Sequence, residues 1–96
     1  MHVNFYATLR PLAGGKTIEI PVPTLTPAVT VLESATNQKM ELATEMWQSR
    51  GVLREHIKVF INGRQSVHLS GGLDTLVHDS DTLDVFPPVG GGSSAA

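Results

Sequence analysis

Apolar and polar side chains alternate at both ends of this chain, and that alternation does most to limit its possible folds. Near the start, Val3, Phe5, Ala7 and Leu9 alternate with His2, Asn4, Tyr6 and Thr8. Near the finish, Leu83 and Val85 alternate with Thr82, Asp84 and Phe86. A period of two belongs to a strand with one buried face. The chain therefore opens and closes in β-structure, and its sheet needs a second layer to cover the apolar side.

That layer is supplied from between the two ends. Arg10-Pro11-Leu12-Ala13-Gly14-Gly15 reads as a turn, and Lys16 to Val22 alternates again with Ile18, Ile20 and Val22 inward, which predicts an antiparallel hairpin. Thr26-Pro27 reads as a helix start, with the threonine capping and the proline in the first turn. Ala28, Val31, Leu32 and Ala35 then share one helical face, and Asn37 ends it. A shorter helix is expected from about Lys39 to Arg50, with Met40, Ala43, Met46 and Trp47 as its core stripe and Gly51 as its stop.

Beyond it, Ile57, Val59 and Ile61 point inward, Asn62-Gly63 makes a hairpin turn, and the chain returns through Gln65 to Leu69. Ser70-Gly71-Gly72 breaks the run, and Leu73 and Leu76 suggest a short helical or irregular anchor. His78-Asp79-Ser80-Asp81 is a polar turn into the last strand, Thr82 to Phe86.

Ninety-six residues allow one domain, with 41% hydrophobic content to fill its core. The net charge of −2 and the scattered positions of the seven basic residues offer no stripe for a nucleic acid or an anionic membrane surface. No apolar run reaches membrane-spanning length, and Met1-His2-Val3-Asn4 lacks the character of a signal peptide, so a cytoplasmic location is expected. Cysteine is absent, which removes disulfides and thiolate chemistry from the side chains.

Independent catalysis has no support in the motifs. His2, His56, His68 and His78 fall in separate elements without metal-ligand spacing, and no metal site is expected. Asp79, Asp81 and Asp84 lack the spacing of a calcium loop and read as turn and strand-end residues. Gly14-Gly15 and Gly71-Gly72 form neither a dinucleotide fingerprint nor a phosphate loop, and no serine sits in a nucleophile elbow.

Two features point outward instead. If Ile57, Val59 and Ile61 face the core, Phe60 faces out, and the same parity turns Tyr6 and Phe86 outward; three aromatics on neighbouring strands would make an exposed partner patch. The second is the carboxyl end, Phe86-Pro87-Pro88-Val89-Gly90-Gly91-Gly92, followed by Ser93-Ser94-Ala95-Ala96. It reads either as an ordinary disordered terminus or as a thin glycine arm able to thread a narrow channel.

The order of strand, strand, helix, short helix, strand, short strand and strand is that of the ubiquitin-like β-grasp. This is an α+β fold: a mixed sheet of four to five strands, one main helix packed across it, and a flexible C-terminal glycine arm. Residues 1–89 are expected to form that domain and residues 90–96 the arm with its four-residue extension. Three segments carry a closer likeness: Val59-Phe60-Ile61-Asn62-Gly63-Arg64, Leu69-Ser70-Gly71-Gly72-Leu73-Asp74-Thr75-Leu76, and Asp79 to Val89 leading into the glycines. In these the chain resembles the ThiS/MoaD family of ubiquitin-like sulfur carriers, most closely its cysteine-biosynthesis branch.

The resemblance implies a non-enzymatic carrier that acts as a protein co-substrate. Gly90, Gly91 and Gly92 would thread into a ubiquitin-activating-like adenylyltransferase, which spends ATP on the Gly92 carboxylate. Tyr6, Phe60 and Phe86 would dock on that partner. The acyl-adenylate would become a thiocarboxylate and pass sulfur to an accepting enzyme, so the chain binds no cofactor of its own and is expected to be a monomer when free. Active family members end at the second glycine, so Ser93–Ala96 implies removal by a protease of the JAMM kind, an appended remnant, or a chain that never becomes a carrier. Two other uses of the arm stay open: a modifier joined through Gly92 to lysines, and the small subunit of a molybdopterin-synthase-like complex.

Overall fold

The computed structural model describes residues 1–37 and 39–88, so the expected arm of residues 90–96, with Val89 before it, lies outside the described residues. In chain order the elements are β1 (His2–Phe5), α1 (Leu9–Ala13), β2 (Thr17–Glu19), β3 (Thr26–Pro27), α2 (Ala28–Thr36), α3 (Met40–Met46), β4 (Trp47–Ser49), β5 (Val52–Leu53), β6 (Lys58–Ile61), β7 (Arg64–Gln65), β8 (Leu76–Val77) and β9 (Thr82–Phe86). Short 3-10 turns at Ser66–His68 and Gly72–Asp74 bridge β7 and β8.

Five strands form one mixed sheet in the order β2-β1-β9-β6-β7. The first and last strands lie side by side and parallel, with Val3 opposite Leu83 and Phe5 opposite Val85. β2 flanks β1 and β6 flanks β9, both antiparallel, with Val3 opposite Ile18 and Val59 opposite Val85. These registers gather Val3, Phe5, Val59, Ile61, Leu83 and Val85 on one face, each no more than 5% exposed. Ala28, Val31, Leu32 and Ala35 of α2 join them in a single core cluster. Removing a Val, Leu or Phe side chain from water contributes roughly 1.5–3 kcal/mol, so this shared face is the main source of stability. Asn62 and Gly63, at φ 51° and 86°, form the two-residue turn that returns β6 into β7.

Several expectations need correction, among them the return strand Gln65 to Leu69, which is only Arg64–Gln65 followed by the 3-10 turn at Ser66–His68. β1 stops at Phe5 rather than reaching Leu9. Ala7 adopts φ 53°, and Leu9–Ala13 is a helix rather than the continuation of a strand followed by a turn. Leu9 and Ala13 are buried at a spacing of four, and Pro11 sits early enough that its missing N–H leaves no helical bond unmade. Thr26 does not cap α2: it pairs with Val77 in the β3–β8 ladder, and the Ala28 N–H donates to the Thr75 carbonyl instead.

The second helix is shorter than expected, because Trp47 to Leu53 forms the hairpin β4–β5 around Gly51 at φ 74°. Its buried stripe is Leu42 and Met46, while Met40 is 82% exposed. Trp47 heads β4 and donates its ring N–H to the Thr36 hydroxyl at 3.0 Å, which joins the hairpin to the end of α2. Finally, Val77 rather than Leu76 is the buried anchor before the last turn, with Leu76 54% exposed.

Candidate docking face and arm root

The sheet face turned away from α2 carries the side chains that the period of two excludes from the core. Registers set them in rows: Glu19, His2 and Thr82; then Thr17, Asn4, Asp84, Phe60 and Gln65; then Phe86 and Lys58, with Tyr6 stacked beside Phe86. The last row stands where β9 hands the chain on through Pro87, buried, and Pro88, exposed. Tyr6, Phe60 and Phe86, expected on the outer face from parity alone, meet there. The rings of Tyr6 and Phe86 stack with centroids 4.3 Å apart and planes 7° from parallel. Phe60 meets Phe86 edge-on at 5.4 Å and 75°. All three are half-buried, so each ring still presents apolar surface to solvent.

Polar groups hold this cluster in place. The Tyr6 hydroxyl donates to Asp84 Oδ1 at 3.0 Å, and Asn4 Nδ2 donates to the same oxygen at 3.0 Å. Asn4 Oδ1 in turn accepts from the Thr17 hydroxyl at 2.6 Å. The ladder thus crosses β2, β1 and β9 and fixes the orientation of the Tyr6 ring. Partial burial, followed by the hydrogen bond to the Asp84 carboxylate, raises Tyr6 above an ordinary phenol. The Tyr6 ring also has the Arg10 guanidinium 5.9 Å and the Lys16 ammonium 6.0 Å from its centroid.

The opposite end of the face is organised by the turn before β9. Asp81 accepts from the His78 N–H at 2.8 Å and from Asn62 Nδ2 at 2.9 Å, while Asn62 Oδ1 accepts from the Thr82 N–H at 3.0 Å. Partial burial opposes the charge on Asp81, but these two donors outweigh it and lower its pKa. Asp79 is lowered by the amino-terminal ammonium, 3.0 Å away, and by the Val22 N–H.

Sequence reasoning found the aromatics but missed what surrounds them. Asn4, Thr17, Asp84 and the cations Arg10, Lys16 and Lys58 surround the same cluster. The parity that placed Phe60 and Phe86 outside also placed Lys58 and Asp84 there. Gly90, Gly91 and Gly92, the expected threading residues, lie outside the described residues. Among the described residues no three His, Asp or Glu side chains converge as a metal site, and no helix is long and apolar enough to cross a membrane.

With the fold and this face in view, known proteins show what the chain is similar to. Small archaeal modifier protein 3 of Haloferax volcanii is 36% identical over 96% of this chain and 98% of that relative. Sulfur carrier protein CysO of Mycobacterium tuberculosis is 31% identical over 94% of this chain and 96% of that one. The crystal structure of small archaeal modifier protein 1 from H. volcanii superposes with a TM-score of 0.79 at 26% identity, covering 93% of this chain and 97% of that structure. The ThiS family model matches residues 3–92, nearly the whole chain, and the chain belongs to the ThiS family of ubiquitin-like β-grasp proteins.

Proposed function

We propose that this protein is a sulfur carrier whose working group is the carboxylate of Gly92, freed by removal of Ser93–Ala96. The observation that carries the reading is the family match, which runs from residue 3 to Gly92. A carboxylate is a poor electrophile. Attack of one of its oxygens on the α-phosphorus of ATP expels pyrophosphate and leaves an acyl-adenylate. A hydrosulfide-level nucleophile then attacks the acyl carbon, AMP departs, and the arm ends in a thiocarboxylate that can pass its sulfur on. A ubiquitin-activating-like partner supplies ATP and catalyst, and a JAMM-type protease performs the trimming. The chain itself contributes the glycines Gly90, Gly91 and Gly92, and the docking face of Tyr6, Phe60 and Phe86.

A second reading is favoured by the 36% identity to a protein named as a modifier. There the acyl-adenylate passes to a lysine amine, and Gly92 ends in an isopeptide bond to a target protein. Both readings use the same arm and the same activation. Intact mass spectrometry of the native chain from its own cells separates them. A species ending at Gly92 with one carboxyl oxygen replaced by sulfur is the result expected of a carrier. Conjugates of higher mass joined through Gly92, with no thiocarboxylate, would move the assignment to the modifier. A population consisting only of chains that still carry Ser93–Ala96 would overturn both.

A further inference from the structure

We propose that the docking face is electrically polarised along β9, and that this polarity orients the chain on a partner surface whose apolar centre is rimmed with carboxylates. The inference rests on the reading above that the arm is offered to an adenylating enzyme, and it adds what that enzyme's docking surface must look like.

Although the chain as a whole carries −2, the row nearest the arm root is cationic. Arg10 and Lys16 lie about the Tyr6 ring, and Lys58 stands opposite Phe86 in the β6–β9 register. All three are exposed. Among the described residues, the close carboxylate pairings are made by the amino-terminal ammonium, His2 and His78, and none by an Arg or Lys side chain. These three cations are therefore held in water beside apolar rings.

The far end has the reverse character. Glu19, beside His2, is 63% exposed; Asp79 in the turn before β9 is 71% exposed and paired with the amino-terminal ammonium, and Asp81 lies in the same turn, so three carboxylates stand there against that one ammonium. The five residues of β9 set the two ends roughly 13 Å apart, beyond the screening length of about 8 Å at physiological salt. Neither end cancels the other. Asp84, midway, has one carboxylate oxygen held by Asn4 and Tyr6.

A partner that covers Tyr6, Phe60 and Phe86 with apolar surface brings its rim over Arg10, Lys16 and Lys58. An apolar rim would strip water from three charges without replacing it, which is unfavourable. Carboxylates there replace the lost hydration, and the acidic far end is repelled by the same rim. The face then docks in one direction, with its cationic arm root against the partner's carboxylates. Such complementarity acts mainly on encounter and register.

The test is ATP–pyrophosphate exchange by the ubiquitin-activating-like adenylyltransferase of the same organism, with the form ending at Gly92 as substrate. For K16E/K58E, KM is expected to rise about tenfold or more at low salt with kcat held, because steering is lost. K39E/R50E carries the same net charge on the helical side, and its KM is expected to stay within about twofold of wild type. Wild-type KM should climb with added salt, and that of K16E/K58E should not. Circular dichroism checks the fold, and K16Q/K58Q, with an intermediate rise in KM, serves if the Glu pair unfolds.

Equal shifts in the two Glu pairs, or none in either, would overturn the inference while leaving the carrier reading intact. So would a wild-type dimer in sedimentation that K16E/K58E dissolves without moving KM, since the face would then meet a second copy of this chain. No exchange with the wild-type form at any salt overturns the carrier reading, and this inference with it.

Discussion

The two faces of the central strands are built from alternate residues of the same few segments, yet they do opposite things. Inward, Val3, Phe5, Val59, Ile61, Leu83 and Val85 are sealed against α2. Outward, Tyr6, Phe60 and Phe86 pack on each other and stop half-covered, held by a hydrogen-bonded ladder through Asp84 and Asn4. A side chain one residue further along a strand changes from a sealed core position to a half-covered surface one, which the proposed function uses for recognition. The difference teaches that aromatic character alone does not say which face a residue serves; its parity relative to the core does.

The sharpest way to break this contrast is on the inner face. Phe5 is fully buried, so Phe5→Ala should lower unfolding free energy in a urea titration by about 3–5 kcal/mol. A loss under about 1 kcal/mol would mean that the inner face is not the source of stability. On the outer face, Tyr6→Phe removes the hydroxyl that Asp84 accepts and should cost about 0.5–1.5 kcal/mol. Because Tyr6 is raised, the stability it adds is present below the ordinary phenol value of 10.0 and lost as pH rises through its higher folded value. The alkaline fall in stability should accordingly be smaller in Tyr6→Phe.

Phe60→Glu should be milder still, about 1 kcal/mol or less, since only its edge contact with Phe86 and partial burial are lost. On the proposed carrier reading, adenylation by an activating partner should nevertheless weaken markedly; a large stability loss instead would show that β6 turns this side chain into the core. The smallest effect is expected at Asp81. Its pKa is held below 3.8, so its contribution is present above that value and disappears as pH falls through the folded one. Asp81→Asn should flatten that acid limb in thermal melts taken below about pH 4.

What was legible in the sequence follows from this same period of two. Alternation in Val3 and Phe5, in Val59 and Ile61, and in Leu83 and Val85 is enough to give the inner face, and its complement gives the aromatic cluster. What was not legible depends on where a repeat stops. Leu9 satisfies both a strand period from Phe5 and a helical period to Ala13, and only the turn at Ala7 decides between them. The stripe on α3 slipped for a similar reason: Met46 fits a face with Met40 and Ala43 as well as one with Leu42. Thr26 reads as a cap until its distant strand partner Val77 is known. The polar ladder joins Asn4 to Asp84 across 80 positions, which no local spacing reveals.

The parallel pairing of β1 with β9 has a consequence in time as well as in space. The sheet's centre joins residues 2–5 to residues 82–85, so closing it requires a loop of nearly the whole chain. Such distant pairing makes folding slow relative to helical bundles. It also means that β1 waits beside an empty place until β9, the strand from which the glycines depart, has settled there. On the proposed function, an activating enzyme that recognises Phe86 stacked on Tyr6 would therefore be testing for completed folding before it commits ATP, and a half-folded copy would be passed over.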